Sequence, residues 1–412
     1  MAQPETVSIA RLRQRWALLP NHVKQLAPQR PVWLVINGGE VTQAVTFTKL
    51  LHQGIAPSPL LLVTSNAYAA DFASRYLPWL AGICEAPWDL ESICRRTLKQ
   101  IPPRALIFIE NVYYPVLAST AQHLGIPTIL ASGLVQTRFR YHPLYERPFD
   151  LRFFENIDLH IVKGERDART LTEECGVPAD RVCIGGNLKF DAEFLSQRNT
   201  LTELTRQSLG AAWNSSFVIL AGSIHHPEEE LISKVMSVLR ARGHRVRLIV
   251  APRYDTAVGQ VANSLHSVGL SSKRRSLLTP REPVDEDALI VDTFGELPGL
   301  YPLADAVILG GTFFKRGRVG FGQNIVEPLM ALKPVLHGPF IGQFEDIRDS
   351  LLKAWVGTEV ETEEQLIHSL EELMVRPELR RQLREQARMI INANVGNAKR
   401  HVDLIVEMLA EA

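Results

Sequence analysis

Short apolar runs of strand length recur along this 412-residue chain, each followed by a longer amphipathic stretch, and few folds accommodate that alternation. It is the pattern of β–α units feeding a parallel sheet, whose strands are covered on both faces and so read as nearly unbroken apolar runs. The runs form two series. The first predicts strands over Val32–Ile36, Leu60–Val63, Ala105–Ile109, Pro127–Leu130, Leu159–Val162 and Val182–Ile184. The second predicts them over Phe217–Ala221, Val246–Val250, Ala288–Val291, Ala306–Leu309 and Pro334–Leu336. A helix is predicted over Pro227–Arg242, where Glu228, Glu229 and Glu230 suit the positive end of the helix dipole. Asp191 to Asn214 is polar and separates the series, so the boundary falls near residue 200. The expected architecture is α/β, with doubly wound, Rossmann-like parallel sheets in domains 1–200 and 201–412 facing a central cleft. Glu363 to Ala412 reads as helix throughout, broken at Pro377.

A chain of this length exceeds one ordinary core, which agrees with two domains. Hydrophobic residues make up 46% and charged residues 22%, the balance of a folded globular protein. Basic and acidic residues both number 45, so the net charge is zero and no nucleic-acid partner is expected. Cys84, Cys94, Cys175 and Cys183 form no CxxC pair and have no histidine at ligand spacing, as expected of reduced thiols in the cytosol. No apolar run approaches the roughly 18 residues of a spanning helix, and no signal-peptide core is present. A cytoplasmic protein is therefore expected, one that can still rest on a membrane. Two basic, aromatic stretches, Ile9 to Val23 and Gln136 to Phe154, suit either anionic lipid or ordinary surface packing.

The most informative segment runs from Asp292 to Pro328. A predicted strand ends at Val291, and the loop through Gly295, Glu296 and Leu297 opens the next helix. The following strand ends in Gly310-Gly311-Thr312, and after a glycine-rich loop a helix begins near Asn324. Glycines let backbone N–H groups approach a phosphate, and a helix N-terminus adds positive partial charge. Glu327, one turn in, can accept from a ribose diol. Arg253, after the strand that ends at Val250, offers a planar guanidinium for phosphate, although an arginine at a strand end is also an ordinary surface residue. Ser223, after Ala221-Gly222, is small enough for a phosphate or sugar to lie against it. His225 and His226 lack a carboxylate at ligand spacing, so no metal is expected.

In the first half, Asn37-Gly38-Gly39-Glu40 follows the first strand. Two readings of Glu40 stand side by side. It can take a proton from an attacking hydroxyl, or it can simply be a glutamate favoured at a helix start. The run Gly186-Asn187-Leu188-Lys189-Phe190-Asp191 closes the first series, with Lys189 available to an anionic sugar or phosphate.

These residues, in this order, resemble the transferases of 3-deoxy-D-manno-octulosonic acid (Kdo), over roughly residues 30 to 350. The likeness is most specific at GNLKFD, at Pro252-Arg253, at Gly295-Glu296-Leu297, and at GGT with QN-xx-EP. It implies the GT-B fold and an inverting, metal-independent transfer from CMP-Kdo to a lipid A precursor, with no cofactor beyond the CMP-sugar itself. The last helix would cross back to the first domain. Glu40 would be the catalytic base, its loop reading NGGE where the family has SVGE. Arg253 would hold the CMP phosphate, and Ser223, Gly295, Glu296, Leu297, Gly311 and Thr312 would line the donor pocket. Asn324 and Glu327 would bind donor sugar and ribose, with Lys189 near the Kdo carboxylate. Gly39, Glu110 and Arg138 would face a glycolipid acceptor at the membrane surface.

The departures cluster in the acceptor half. The family's ETExWP reads Glu110-Asn111-Val112-Tyr113-Tyr114-Pro115, and its NAR-x-S-x-R reads Ala131 to Arg138, with Gly133 in place of a polar residue. Gln323 replaces the histidine of GGHN, and no hydrophobic N-terminal anchor is read. A different acceptor is therefore open. Two other functions also fit such a chain: a nucleotide-sugar 2-epimerase of the same fold, and a catalytically silent GT-B binding module.

Overall fold

The computed structural model of the chain describes residues 9–38, 40–110, 112–135, 147–191, 204–279, 283–293, 295–315, 324–341 and 357–411. The chain divides into two compact units, residues 1–194 with 394–412, and residues 195–393.

The first unit holds seven strands: β1 (Val32–Val35), β2 (Leu60–Thr64), β3 (Leu80–Glu85), β4 (Ala105–Ile109), β5 (Thr128–Gly133), β6 (Leu159–Val162) and β7 (Val182–Ile184). They pair in parallel in the order β3-β2-β1-β4-β5-β6-β7. Every residue of β1, β2 and β4 is buried, as strands covered on both faces require. Trp33, Leu61 and Phe108 face one apolar layer, and Leu34, Leu62 and Ile107 face the other. Helix Asn397–Glu411 completes that second layer. Its Val402 and Ile405 join the core formed by Phe47 and Leu51 of helix Val45–Gly54.

The second unit repeats the plan with β8 (Phe217–Ile224), β9 (Val246–Pro252), β10 (Ser272–Arg274), β11 (Ala288–Ile290), β12 (Ala306–Leu309), β13 (Val335–His337) and β14 (Gly357–Glu359). Its parallel order is β10-β11-β9-β8-β12-β13-β14.

All eleven strands predicted from sequence are present. The three that sequence reading misses are β3, β10 and β14, and each lies at a sheet edge. An edge strand pairs on one side only and is only partly covered, so it need not be apolar. Ser272-Lys273-Arg274 and Gly357-Thr358-Glu359 illustrate this. The C-terminal stretch is three helices, Glu363–Val375, Pro377–Asn394 and Asn397–Glu411, so a second break follows the one at Pro377.

Strand order reverses direction at one point in each sheet, between β1 and β4 and between β8 and β12. A crevice opens above the carboxyl ends of such strands, where doubly wound folds bind their ligands. Nearby, both sheets carry a register shift, between Ala131 and Gly133 in β5 and between Gly222 and Ile224 in β8. The extra residues are Ser132 and Ser223, both in left-handed backbone at φ 55° and 56°. Bulges of this kind re-aim the end of a strand. The displaced amide of Ser132 donates to His401 Nε2 at 3.1 Å, and His401 Nδ1 in turn donates to the carbonyl of Asn397 at 2.8 Å.

Because the final helix completes the first core, Ile405→Ala should cost about 2–5 kcal/mol, read as a lower urea midpoint. Glu407→Ala on its exposed face should stay within about 0.5 kcal/mol of the parent.

Candidate active site

In the first unit the site is built from the carboxyl ends of four strands. Glu40 opens helix Glu40–Gln43 directly after the β1 loop and is half-buried. Its carboxylate folds back over Gly38, where a Cβ would lie 2.9 Å from Oε2, and Gly38 has φ +63°. The space above this glycine is thus filled by Glu40 itself. Asn37 Oδ1 accepts from the Ser65 backbone N–H at 3.0 Å and from Thr64 Oγ1 at 3.2 Å, tying the loop to the end of β2.

Glu110 follows β4, the neighbour of β1, and takes left-handed backbone at φ 59°. Lys163 Nζ, just past β6, donates to Glu110 Oε1 at 2.9 Å, and Lys189 Nζ lies 3.4 Å from the same oxygen. The three side chains are 6%, 0% and 6% exposed. Burial by itself would raise the Glu110 carboxyl, but the two lysine charges and their hydrogen bonds outweigh it and bring it down to about 2. Burial lowers the Lys189 ammonium, with Glu110 opposing. Glu40 is pushed above the ordinary glutamate value, first by burial and then by the Glu110 charge, against the pull of its own backbone N–H and of both lysines. The result is a half-buried carboxylate of raised basicity beside a sealed ionic cluster.

Sequence reading assigned Glu110 to an acceptor and Lys189 to a donor carboxylate. The structure instead turns both side chains inward, onto each other. Gly39 and Arg138 lie outside the described residues, as do Asn111 and residues 136–146. Val112, one of the departures noted above, is buried in the core. Most of GNLKFD anchors the final helix. Asp191 accepts from the backbone N–H groups of Gly396 (2.6 Å) and Ala398 (2.5 Å), and the Asn187 carbonyl accepts from Asn397 Nδ2 at 3.1 Å. Asn187 Oδ1 meanwhile accepts from the Lys189 backbone N–H at 3.1 Å, fixing the turn that carries the lysine.

In the second unit the crevice lies between the ends of β8 and β12. A Cβ on Gly310 would meet the Ser223 carbonyl oxygen at 2.5 Å, so only glycine lets the two strand ends approach this closely. The backbone N–H groups of Gly311 (2.7 Å), Thr312 (3.0 Å) and Phe313 (3.1 Å) all donate to the buried carboxylate of Glu228, as does that of His225 at 2.9 Å. This differs from the phosphate-facing amides expected of the GGT turn. Here those amides bind a side chain of the protein, and the turn contributes shape. Thr312 Oγ1 accepts from the Gly338 backbone N–H at 2.8 Å, pinning the turn from the other side.

Arg253 is exposed at the end of β9, its backbone N–H donating to the Ile224 carbonyl at 2.9 Å. Glu296 Oε1 accepts from Arg275 Nη2 at 3.1 Å and its Oε2 accepts from Thr293 Oγ1, which fixes the loop between Gly295 and Leu297. Asn324 Nδ2 donates to Glu327 Oε1 at 3.1 Å, and Asn324 Oδ1 accepts from the Val326 backbone N–H at 3.1 Å. The charge of Glu327 adds to burial in raising the Tyr301 hydroxyl. Gln323 lies outside the described residues. His226 Nδ1 contacts Glu229 Oε1 at 2.6 Å, and among the described residues no group of three His, Cys, Asp or Glu is placed to hold a metal ion.

Sequence reading missed Lys163 and the role of Glu228. The only local signal for Lys163 was its place directly after an apolar run, and Glu228 was hidden in an acidic triplet that suits any helix start.

Residues 10–192, nearly the whole of the first unit up to the final helix, match the family model described as 3-Deoxy-D-manno-octulosonic-acid transferase (kdotransferase). The 3-deoxy-D-manno-octulosonic acid transferase of Bordetella pertussis is 26% identical over 92% of this chain and 87% of its own length. That of Haemophilus influenzae is 26% identical over 97% of this chain and 92% of its own. The chain is thus similar to Kdo transferases over most of its length, with the family model matching residues 10–192. It is accordingly an enzyme of the glycosyltransferase class. Among solved structures, a putative UDP-N-acetylglucosamine 2-epimerase from Listeria monocytogenes covers 93% of the chain with TM-score 0.68 at 13% identity. A glycosyltransferase from Rickettsia africae covers 92% with TM-score 0.62 at 11% identity. At those identities the likeness is one of fold, and the fold is GT-B.

Glu228→Ala leaves four backbone N–H groups without their acceptor. It should lower the stability of the second unit by more than about 2 kcal/mol. Urea denaturation measures this, and a change near zero would mean that water replaces the carboxylate without cost.

Proposed function

We propose that this protein is a Kdo transferase, which moves Kdo, or a similar acidic sugar, from a CMP-activated donor to a glycolipid acceptor of the lipid A precursor type, inverting the anomeric carbon without a metal ion. The observation that carries this reading is the half-buried Glu40, raised in basicity, at the strand-order reversal of the unit that the family model matches. A carboxylate in that state takes the proton of an attacking hydroxyl as the bond to the sugar forms. In the second unit Arg253 neutralises the phosphate of the departing CMP, a charge-assisted contact that strengthens as the leaving group gains charge. Ser223, Gly295, Glu296, Leu297, Gly311 and Thr312 line the nucleotide site, and the Asn324–Glu327 pair receives ribose and sugar hydroxyls. Gly39 and Arg138 are assigned to the acceptor. Lys189 is not assigned to the donor, because its ammonium faces Glu110.

Contact with the cytoplasmic membrane face is part of the same reading. Leu12, Trp16 and Leu18 are exposed near a cavity of about 710 Å³ lined by Lys24, Arg95, Arg96 and Lys99, a mixture of apolar and cationic groups suited to an anionic bilayer. No helix among the described residues is long and apolar enough to cross a membrane.

Glu40→Gln should lower kcat by about 10²–10⁴-fold with CMP affinity unchanged. Full transfer by the variant would remove Glu40 from the mechanism. Because the base must be ionised, kcat/KM should fall with decreasing pH through a pKa above the ordinary glutamate value of 4.5. CMP should raise the melting temperature, and stabilisation by UDP or GDP alone would overturn the donor assignment. Transfer should persist in a chelator.

A further inference from the structure

We infer that the hydroxyl of Tyr301 is a further donor-binding group, which donates to a ribose oxygen of the nucleotide beside the carboxylate of Glu327. The inference rests on the reading of the second unit as the nucleotide site. It deepens that reading by adding a residue that lies in no glycine turn and at no strand end.

Tyr301 opens the short helical turn Tyr301–Leu303, directly after helix Leu297–Leu300. Its ring belongs to the apolar layer of Trp213, Leu220, Ile249 and Leu300, and the residue is only 2% exposed. The hydroxyl lies at the edge of that layer, beside Gly222, the residue of β8 that pairs with Leu309 at the end of β12. A Cβ on Gly222 would stand 3.5 Å from the hydroxyl oxygen, 3.5 Å from Leu297 and 3.4 Å from Leu220, so glycine leaves a space of atomic size there. A Cβ on Gly310 would lie 2.8 Å from the Gly222 carbonyl oxygen, which brings the neighbouring strand end against the same point. The hydroxyl therefore sits where the strand order reverses.

That hydroxyl forms no hydrogen bond among the described residues. A nearly buried donor without a partner has lost its water and gained nothing in exchange. Phenylalanine would fill the same layer without that cost, so the oxygen calls for a partner from outside the chain.

Glu327 comes from the adjacent element. Helix Val326–Met330 is followed by Lys333, whose Nζ donates to the carbonyls of Pro302 (3.0 Å) and Ala304 (2.8 Å), and Ala331 packs on the same apolar layer as Tyr301. The turn that carries Tyr301 and the helix that carries Glu327 are thereby fastened together. Their side chains are complementary. An ionised carboxylate only accepts, whereas the Tyr301 hydroxyl is raised by burial and then by the charge of Glu327, so it keeps its proton and can donate. A ribose diol offers both a hydroxyl that donates and an oxygen that accepts. A phosphate offers acceptors alone and is repelled by Glu327, which favours the ribose at this point.

Calorimetric titration of the intact protein with CMP, 2′-deoxy-CMP and 3′-deoxy-CMP tests this, with Tyr301→Phe beside the parent. The parent should bind CMP more tightly than at least one of the deoxy nucleotides. Tyr301→Phe should melt no lower than the parent, since it removes an unsatisfied group. It should nonetheless bind CMP about tenfold more weakly, and bind one of the deoxy nucleotides as the parent does. Unchanged CMP affinity, or an equal loss for all three nucleotides, would overturn the inference and leave the donor reading intact. A melting temperature several degrees lower would also overturn it, because the hydroxyl would then be held within the protein. A parent that binds none of the three removes the donor reading itself, and the inference with it.

Discussion

Three ionised side chains sealed beneath the carboxyl ends of a parallel sheet are the constraint around which the first unit is arranged. An isolated buried charge costs several kcal/mol, and such groups persist only where partners and geometry compensate one another. Glu110 holds two lysines at one oxygen, and their charges compensate its own. They come from three separate strand ends, those of β4, β6 and β7, so the cluster forms only once the sheet is complete. Helix Asn397–Glu411 belongs to the same arrangement although it is about two hundred residues further along the chain. Its first amides bind Asp191, at the end of the turn that carries Lys189, and its His401 satisfies the displaced amide of Ser132.

The second unit meets a similar demand by different means. Its buried carboxylate, Glu228, has backbone amides as partners instead of lysines. Burial raises this carboxyl and the four N–H groups oppose the rise. The arrangement consolidates the turn after β12 and leaves the crevice wall to Ser223, Gly310 and the exposed Arg253. One sheet plan therefore supports two kinds of strand-end chemistry: a compensated ionic cluster under a basic carboxylate, and a rigid turn beside a single exposed cation.

How far the sequence reveals this follows from what each element must satisfy. Central strands must be apolar on both faces, so β1, β4 and β12 stand out as unbroken runs. The edge strands β10 and β14 are under no such demand, and Ser-Lys-Arg and Gly-Thr-Glu resemble loop sequence. Glu40 is legible because a glycine turn, a strand end and a helix start coincide around it. GNLKFD is legible as a motif but not for its work, since a sequence does not reveal that Asn187 and Asp191 face a helix that begins at Asn397. The Lys163–Glu110 pair spans 53 residues, and Glu228 meets Gly311 across 83. Contacts at such separations leave no periodic trace, and neither residue type is unusual at its position.

The ionic cluster also bears on how a carboxylate can be both basic and ready. Desolvation strengthens Glu40 as a base, but carried far enough it would leave the group protonated and useless near neutral pH. Exposure would keep it ionised and make it weak. The charges of Lys189 and Lys163 favour the ionised form of Glu40, while burial and the charge of Glu110 disfavour it. Burial is the largest of these influences, so the basicity of Glu40 is set first by how deeply the β1 loop folds it back and only then by the charges at the neighbouring strand ends.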